Sequence, residues 1–131
     1  MNATEQLRQR KHSPGEEIDL SSFVALGSLE NLGATVLEGA AEGWVRIDFD
    51  SGGLRAGQFV SSPAKIQFTF PYTEHATILE GEVTFTDEHG RSETYQPGDS
   101  YFIARGQVMT CECDARVVKS FFNHTASPAV V

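Results

Sequence analysis

Cysteine, cations and long apolar runs are all scarce in this chain, and each scarcity removes a class of protein. Cys111 and Cys113 are the only two cysteines in 131 residues, so no disulfide framework braces the fold. On a strand, residues two apart project from one face, a spacing that suits only a strained and rare disulfide. Reduced thiols in a reducing compartment are therefore expected. No apolar run approaches the roughly 18 residues of a membrane helix. The first twelve residues are polar and lack the apolar core of a secretory signal. A cytoplasmic protein with no membrane partner is the expectation. Ten Lys and Arg stand against 18 Asp and Glu, a net charge of −8, and that average field repels a polyanion, so no nucleic-acid partner is expected. No P-loop, dinucleotide glycine fingerprint or nucleophile elbow occurs.

What is present is enough for one folded domain. Hydrophobic residues make up 40% of the chain and nine are Phe, which favours a packed globule over a disordered chain. Residues 1–22 read as a polar arm: EQLRQRKH carries mixed charge with little apolar face, and Pro14-Gly15 interrupts it. Such an arm is either disordered or lies across a partner subunit. Residues 23–37 supply scattered apolar side chains (Phe23, Val24, Leu26, Leu29, Leu32) suited to covering one end of the domain. The domain proper is expected over 23–124, followed by a tail at 125–131.

From Trp44 onward the pattern has period two. Val45, Ile47 and Phe49 alternate with Arg46 and Asp48, as in a half-buried strand. Ser51-Gly52-Gly53 reads as a turn, Asp87-Glu88-His89-Gly90 as a hairpin tip, and Pro97-Gly98-Asp99 as another turn. Between them lie predicted strands at 58–61, 65–70, 77–79, 82–86, 91–95, 101–103, 108–113 and 116–122. The result is an all-β domain, sandwich or barrel, with no strand-helix-strand rhythm.

Specific strings choose between those two. Ala56-Gly57-Gln58-Phe59, Pro71-Tyr72-Thr73-Glu74, Ile78-Leu79-Glu80-Gly81-Glu82-Val83, Pro97-Gly98-Asp99 and Lys119 resemble the motifs of the cupin superfamily over roughly residues 40–122. More narrowly, they are similar to the (S)-ureidoglycine aminohydrolase-type cupin domain family, which includes relatives of the ethanolamine-utilisation protein Q. The resemblance implies a cupin double-stranded β-helix, a jelly-roll-like barrel of short antiparallel strands. It also implies frequent homodimers and a site inside the barrel mouth.

Metal-binding cupins carry His-x-His, then a Glu four residues on, then a further His. Alternate strand residues face one lumen, so such a set can surround one ion. Aligned on Glu74 and Gly106, the three His positions hold Phe68, Phe70 and Met109 in this chain. One carboxylate beside two phenyl rings lacks the ligand count for a cation, so no metal cofactor is expected. Met109, Cys111 and Cys113 share a parity, and three sulfur groups could in principle hold Cu(I), or a zinc ion with Glu74, but same-side strand neighbours lie about 6–7 Å apart, so one ion does not easily reach all three. They read better as core fillers. Relatives usually have Trp at the Cys111 position, which implies a roomier pocket floor here.

Phe68, Phe70, Tyr72, Glu74, Ala76 and Ile78 share one parity, although a turn at Pro71 could break the run. Facing the lumen, they form an aromatic wall with one acid, the mixture typical of small-molecule pockets. Met109 and Cys111 join that pocket. Glu74 then orients a ligand or acts as general acid/base, with Tyr72 and Lys119 as further catalytic candidates. The competing readings are that the rings merely fill the core while Glu74 pairs with a neighbouring cation, and that Lys119 snorkels to solvent. His75 has the opposite parity and His89 sits at a hairpin tip, so neither is expected in the site. Glu80 reads as a turn-stabilising residue.

The expected function is binding of a small polar or carboxylate metabolite in an apolar lumen without metal. The alternative is a small-metabolite enzyme, aminohydrolase-like or isomerase-like, using Glu74 as acid/base with or without a non-standard metal. A structural partner of another protein is the third possibility, suggested by the polar arm alone.

Overall fold

A computed structural model describes residues 7–125. Eleven strands follow one another: β1 (Val24–Ser28), β2 (Thr35–Glu38), β3 (Glu42–Ser51), β4 (Leu54–Ser61), β5 (Ala64–Thr69), β6 (Thr73–Glu80), β7 (Val83–Thr86), β8 (Ser92–Tyr95), β9 (Ser100–Ile103), β10 (Val108–Cys113) and β11 (Val117–His124). Short 3-10 turns at Leu20–Ser22 and Leu29–Leu32 are the helical elements of the described residues. The strands form two antiparallel sheets, ordered β1-β3-β4-β11-β6-β9 and β2-β5-β10-β7-β8. The all-β expectation holds. The ladders stay separate, so the barrel is a pair of facing sheets and not one closed ladder.

Turn chemistry sets much of this order. Gly52 and Gly53 both have positive φ, 61° and 82°, between the paired ends Ser51 and Leu54, the geometry of a tight type I′ hairpin. At the other predicted tip, Asp87 accepts from the backbone N–H of His89 and Arg91 at 2.8 and 3.0 Å, and Gly90 takes φ 81°. The Pro97-Gly98-Asp99 turn docks on β6, where Gly98 donates to the Ile78 carbonyl and Ile78 donates back to Asp99. Gly81 closes the β6–β7 turn at φ 81°, and an added Cβ would lie 2.2 Å from the Arg116 carbonyl oxygen. Strain and a backbone clash therefore coincide. Gly81→Ala is expected to cost about 2–3 kcal/mol, read as a lower urea midpoint with an unchanged slope. Beside it Glu80 receives two bonds from Arg116 at 2.7 and 2.8 Å, which lower the Glu80 pKa and make it the turn-stabilising residue expected.

The strand pattern missed two elements, β1 and β2, inside the segment assigned to end-covering. The end is covered nonetheless: Leu29 and Ala34 pack with Ala41 and Ala64 in a small buried cluster. Residues 7–22 of the arm run over the outer face of the six-stranded sheet of their own chain. His12 bridges Asp48 (2.8 Å) and Ser120 (2.6 Å), and Arg10 donates to Asp48 at 2.6 Å. Ile18, Leu20 and Phe23 then cover Val60, Leu79 and Val118, so the second half of the arm buries apolar surface. Residues 1–6 and 126–131, with most of the expected tail, lie outside the described residues.

The main core lies between the sheets. It joins Phe70, Ala76, Ile78, Val83, Phe85, Tyr101, Ile103, Val117 and Phe121. The parity run Phe68–Ile78 survives the turn at Pro71, because all six of its side chains face this interior or pack against it.

Candidate functional site

A cavity of about 460 Å³ opens between the two sheets. Its wall is apolar for most of its extent, with Phe59, Phe68, Phe70, Phe85 and Phe121 supplying rings. The exposed residues Arg55, Pro71 and Thr125 lie at its rim. Aromatic contacts hold the wall in place: Phe68 and Phe70 meet edge to face at 5.0 Å, and Phe70 meets Tyr72 at 6.1 Å, also edge to face. Such T-shaped pairs set ring edges against ring faces and favour a fixed arrangement over a fluid one.

One polar cluster stands in this wall. Glu74 projects inward from β6 and is only 1% exposed. Its Oε2 accepts from Tyr101 Oη at 2.5 Å and from Lys119 Nζ at 2.9 Å. Lys119 Nζ also donates to Tyr101 Oη at 2.8 Å, closing a triangle. The ammonium lies 5.2 Å from the Phe59 ring centroid and 5.6 Å from that of Tyr101, within cation–π range. A buried carboxylate is tolerable only when paired and hydrogen-bonded, and this one is both. Lys119 is thus turned inward, and the snorkelling alternative is corrected: its strand register places it opposite Phe59 and Ile78, both lumen residues.

Further polar groups adjoin the triangle. Asn123 pairs with Glu74 across β11 and β6 and with Arg55 across β11 and β4, so three inward side chains form a row. Asn123 is 4% exposed and makes no side-chain hydrogen bond to a described residue. The same holds for the Tyr72 hydroxyl and for Oε1 of Glu74. Burial first, and then the Glu74 charge, raise the pKa of Tyr72 and Tyr101 well above the ordinary phenol value. Both hydroxyls therefore keep their protons and act as neutral donors.

Sequence reasoning named Glu74, Tyr72, Lys119, Phe68, Phe70, Ile78 and Cys111, and the structure brings all seven to the cavity wall. Ala76 and Met109 sit in or against the core beside the wall and do not line it. Tyr101, Asn123, Arg55 and Phe59 were missed. Parity with Ile103 was the available signal for Tyr101. His75 is exposed on the outer face and His89 is exposed at its hairpin tip.

The two cysteines are free. Desolvation is the chief reason the Cys111 pKa is pushed up to about 12 from 9.0. A three-unit rise leaves roughly a thousandfold less thiolate than an ordinary cysteine. Alkylation of Cys111 by iodoacetamide at about neutral pH should be slower than in the urea-unfolded chain by at least about a hundredfold. Peptide mass spectrometry reads this directly, and equal rates would contradict the half-buried, cavity-facing thiol.

The residues present do not suit the metal that this kind of fold often holds. Phe68, Phe70 and Met109 offer no imidazole, and Oε2 of Glu74 is already committed to two donors, one of them a cation. Among the described residues no group of three or more His, Cys, Asp or Glu converges on a point.

Two facing antiparallel sheets around a lumen, entered beside the strand that carries Glu74, are consistent with a cupin domain. The sequence profile of the EutQ-like cupin domain matches residues 49–121, and the chain belongs to that family. No curated protein matches it. Among solved structures, the EutQ protein of Clostridium difficile is 17% identical at a TM-score of 0.58, over 66% of this chain and 64% of that one. A candidate ethanolamine utilization protein q from Salmonella typhimurium is 20% identical at 0.57, over 81% and 96%. A protein of unknown function from Pseudomonas syringae is 25% identical at 0.60, over 63% of this chain but only 36% of the other. These likenesses establish the fold.

Proposed function

We propose that this protein binds a small metabolite inside the cupin lumen without a metal ion. The carrying observation is the Glu74–Tyr101–Lys119 triangle set in an otherwise apolar cavity, with unspent hydrogen-bonding atoms beside it. A few placed polar groups in an apolar concavity are what a small-molecule site requires. Both polar and carboxylate ligands belong to this reading, the latter through Arg55 at the rim. Cavity filling tests it. Cys111→Trp should occupy the lumen and abolish fragment-induced NMR shifts at lumen amides such as Ile78 and Val117, while the fold persists. Fragment shifts confined to the outer surface in the unaltered protein would overturn it.

An enzyme is the second reading. Glu74 keeps Oε1 free while Tyr101 and Lys119 hold Oε2, an arrangement suited to a general base. The resemblance to (S)-ureidoglycine aminohydrolase-type cupins supports it by analogy only. A reducing, cytoplasmic setting fits the two free thiols. A second copy of this chain is the proposed protein partner, supported by Phe102 and Phe122, which stand 66% and 46% exposed on one sheet face. Sedimentation analysis giving a monomer mass would remove that partner.

A further inference from the structure

The charges inside the lumen cancel, and this bears on what enters it. Among the described residues Lys119 is the one lysine in the cavity wall, and its ammonium is committed to Glu74 and Tyr101. The remaining cation of the wall, Arg55, has a half-exposed side chain and lies near Asp50, at 3.5 Å. An anionic ligand head beside Asn123 would therefore face the Glu74 carboxylate with no uncommitted buried cation to offset it. Burying such a charge is costly.

The atoms left over describe a different guest. Oε1 of Glu74 is an acceptor, whereas the Asn123 amide and the Tyr72 hydroxyl can each donate or accept. A single neutral hydroxyl has the matching roles: it can donate to Oε1 and accept from Asn123 or Tyr72. An ammonium head would satisfy Oε1 but would lie next to the Lys119 charge. The surrounding wall is rich in rings: Phe70 meets both Phe68 and Tyr72 edge to face, and a flat guest extends that pattern.

We infer that the lumen selects a neutral aromatic molecule bearing a hydroxyl, an aromatic alcohol or a phenol, over its carboxylate and amine counterparts. This rests on the lumen-binding reading above and deepens it. A matched set of probes tests it: benzyl alcohol, benzoate and benzylammonium share one ring and differ in the head. Each is titrated into the full chain with amide NMR detection. Benzyl alcohol should bind at least about tenfold more tightly than either charged probe, because a site built for a hydroxyl leaves polar groups unpaired against an analogue. Asn123→Leu, which removes no existing side-chain bond, should weaken benzyl alcohol about fivefold or more.

Tighter binding of benzoate or benzylammonium, with shifts at the lumen amides, would overturn the hydroxyl preference while leaving lumen binding intact. An unchanged affinity in the Asn123 variant would overturn the assigned head-group site. No lumen shift with any of the three probes would bring down the lumen-binding reading and this inference with it.

Discussion

Lys119→Met should lower the stability of this protein by about 3–5 kcal/mol at neutral pH, the usual cost of stripping the partner from a buried charge. For a chain of this length that corresponds to a fall in Tm of about 10 °C or more. The loss has a specific origin. Glu74 is 1% exposed and takes two hydrogen bonds at Oε2, one of which is the Lys119 ammonium. Without it the carboxylate keeps only the neutral Tyr101 donor and stays out of water. Removing both charges together is a different operation, because no orphan remains. Glu74→Gln/Lys119→Met should therefore recover most of the loss, and the double-mutant cycle should report strong coupling. A single variant within about 0.5 kcal/mol of the parent would mean that the triangle contributes nothing.

Alkali should unfold the protein well before it unfolds an average domain. Cys111 is raised to about 12 by burial, and Tyr72 and Tyr101 are also raised well above their ordinary value, again chiefly by burial. Below the unfolded-state values, near 9.0 and 10.0, both native and unfolded chains hold these protons and stability is unaffected. Above them the unfolded chain releases protons that the native chain retains. Stability then falls with rising pH until the native groups themselves titrate. Cys111 alone accounts for about 4 kcal/mol by roughly pH 12, and the tyrosines add to it. All three tyrosines of the chain are shifted the same way. Tyrosinate absorbance should accordingly appear together with loss of the fold, in one cooperative step. Ionisation near the ordinary phenol value in a still-folded protein would contradict the burial of Tyr72 and Tyr101.

Much of the fold was legible because period-two alternation and turn residues act locally. The strand over 108–113 coincides with β10 (Val108–Cys113). Where the alternation misled, a register irregularity was the cause. Val45 and Ile47 face the lumen, but the bulge at Asp48 shifts the pairing so that Phe49 lies opposite Ala56 on the outer face. One extra residue reverses every later side chain. β1 and β2 carry too little alternation to be seen, since their pairing depends on partners distant in the chain.

The site was legible in part for the same reason. Glu74 and its aromatic neighbours lie on one continuous parity run. Tyr101 does not: it shares parity with Ile103, but in the string Tyr101-Phe102-Ile103 both parities are apolar, and the structure buries Tyr101 (3%) and exposes Phe102 (66%). The Glu74 carboxylate supplies the reason, because a buried phenol with a partner is cheaper than a buried carboxylate without one. That partner comes from another strand and cannot be read from spacing.

Native mass spectrometry of the full chain, purified without chelator, tests most directly whether the lumen has given up a metal for an apolar pocket. The account predicts the polypeptide mass, alone or with a small organic adduct that Cys111→Trp removes. One bound divalent ion per chain, lost in Glu74→Gln, would contradict it.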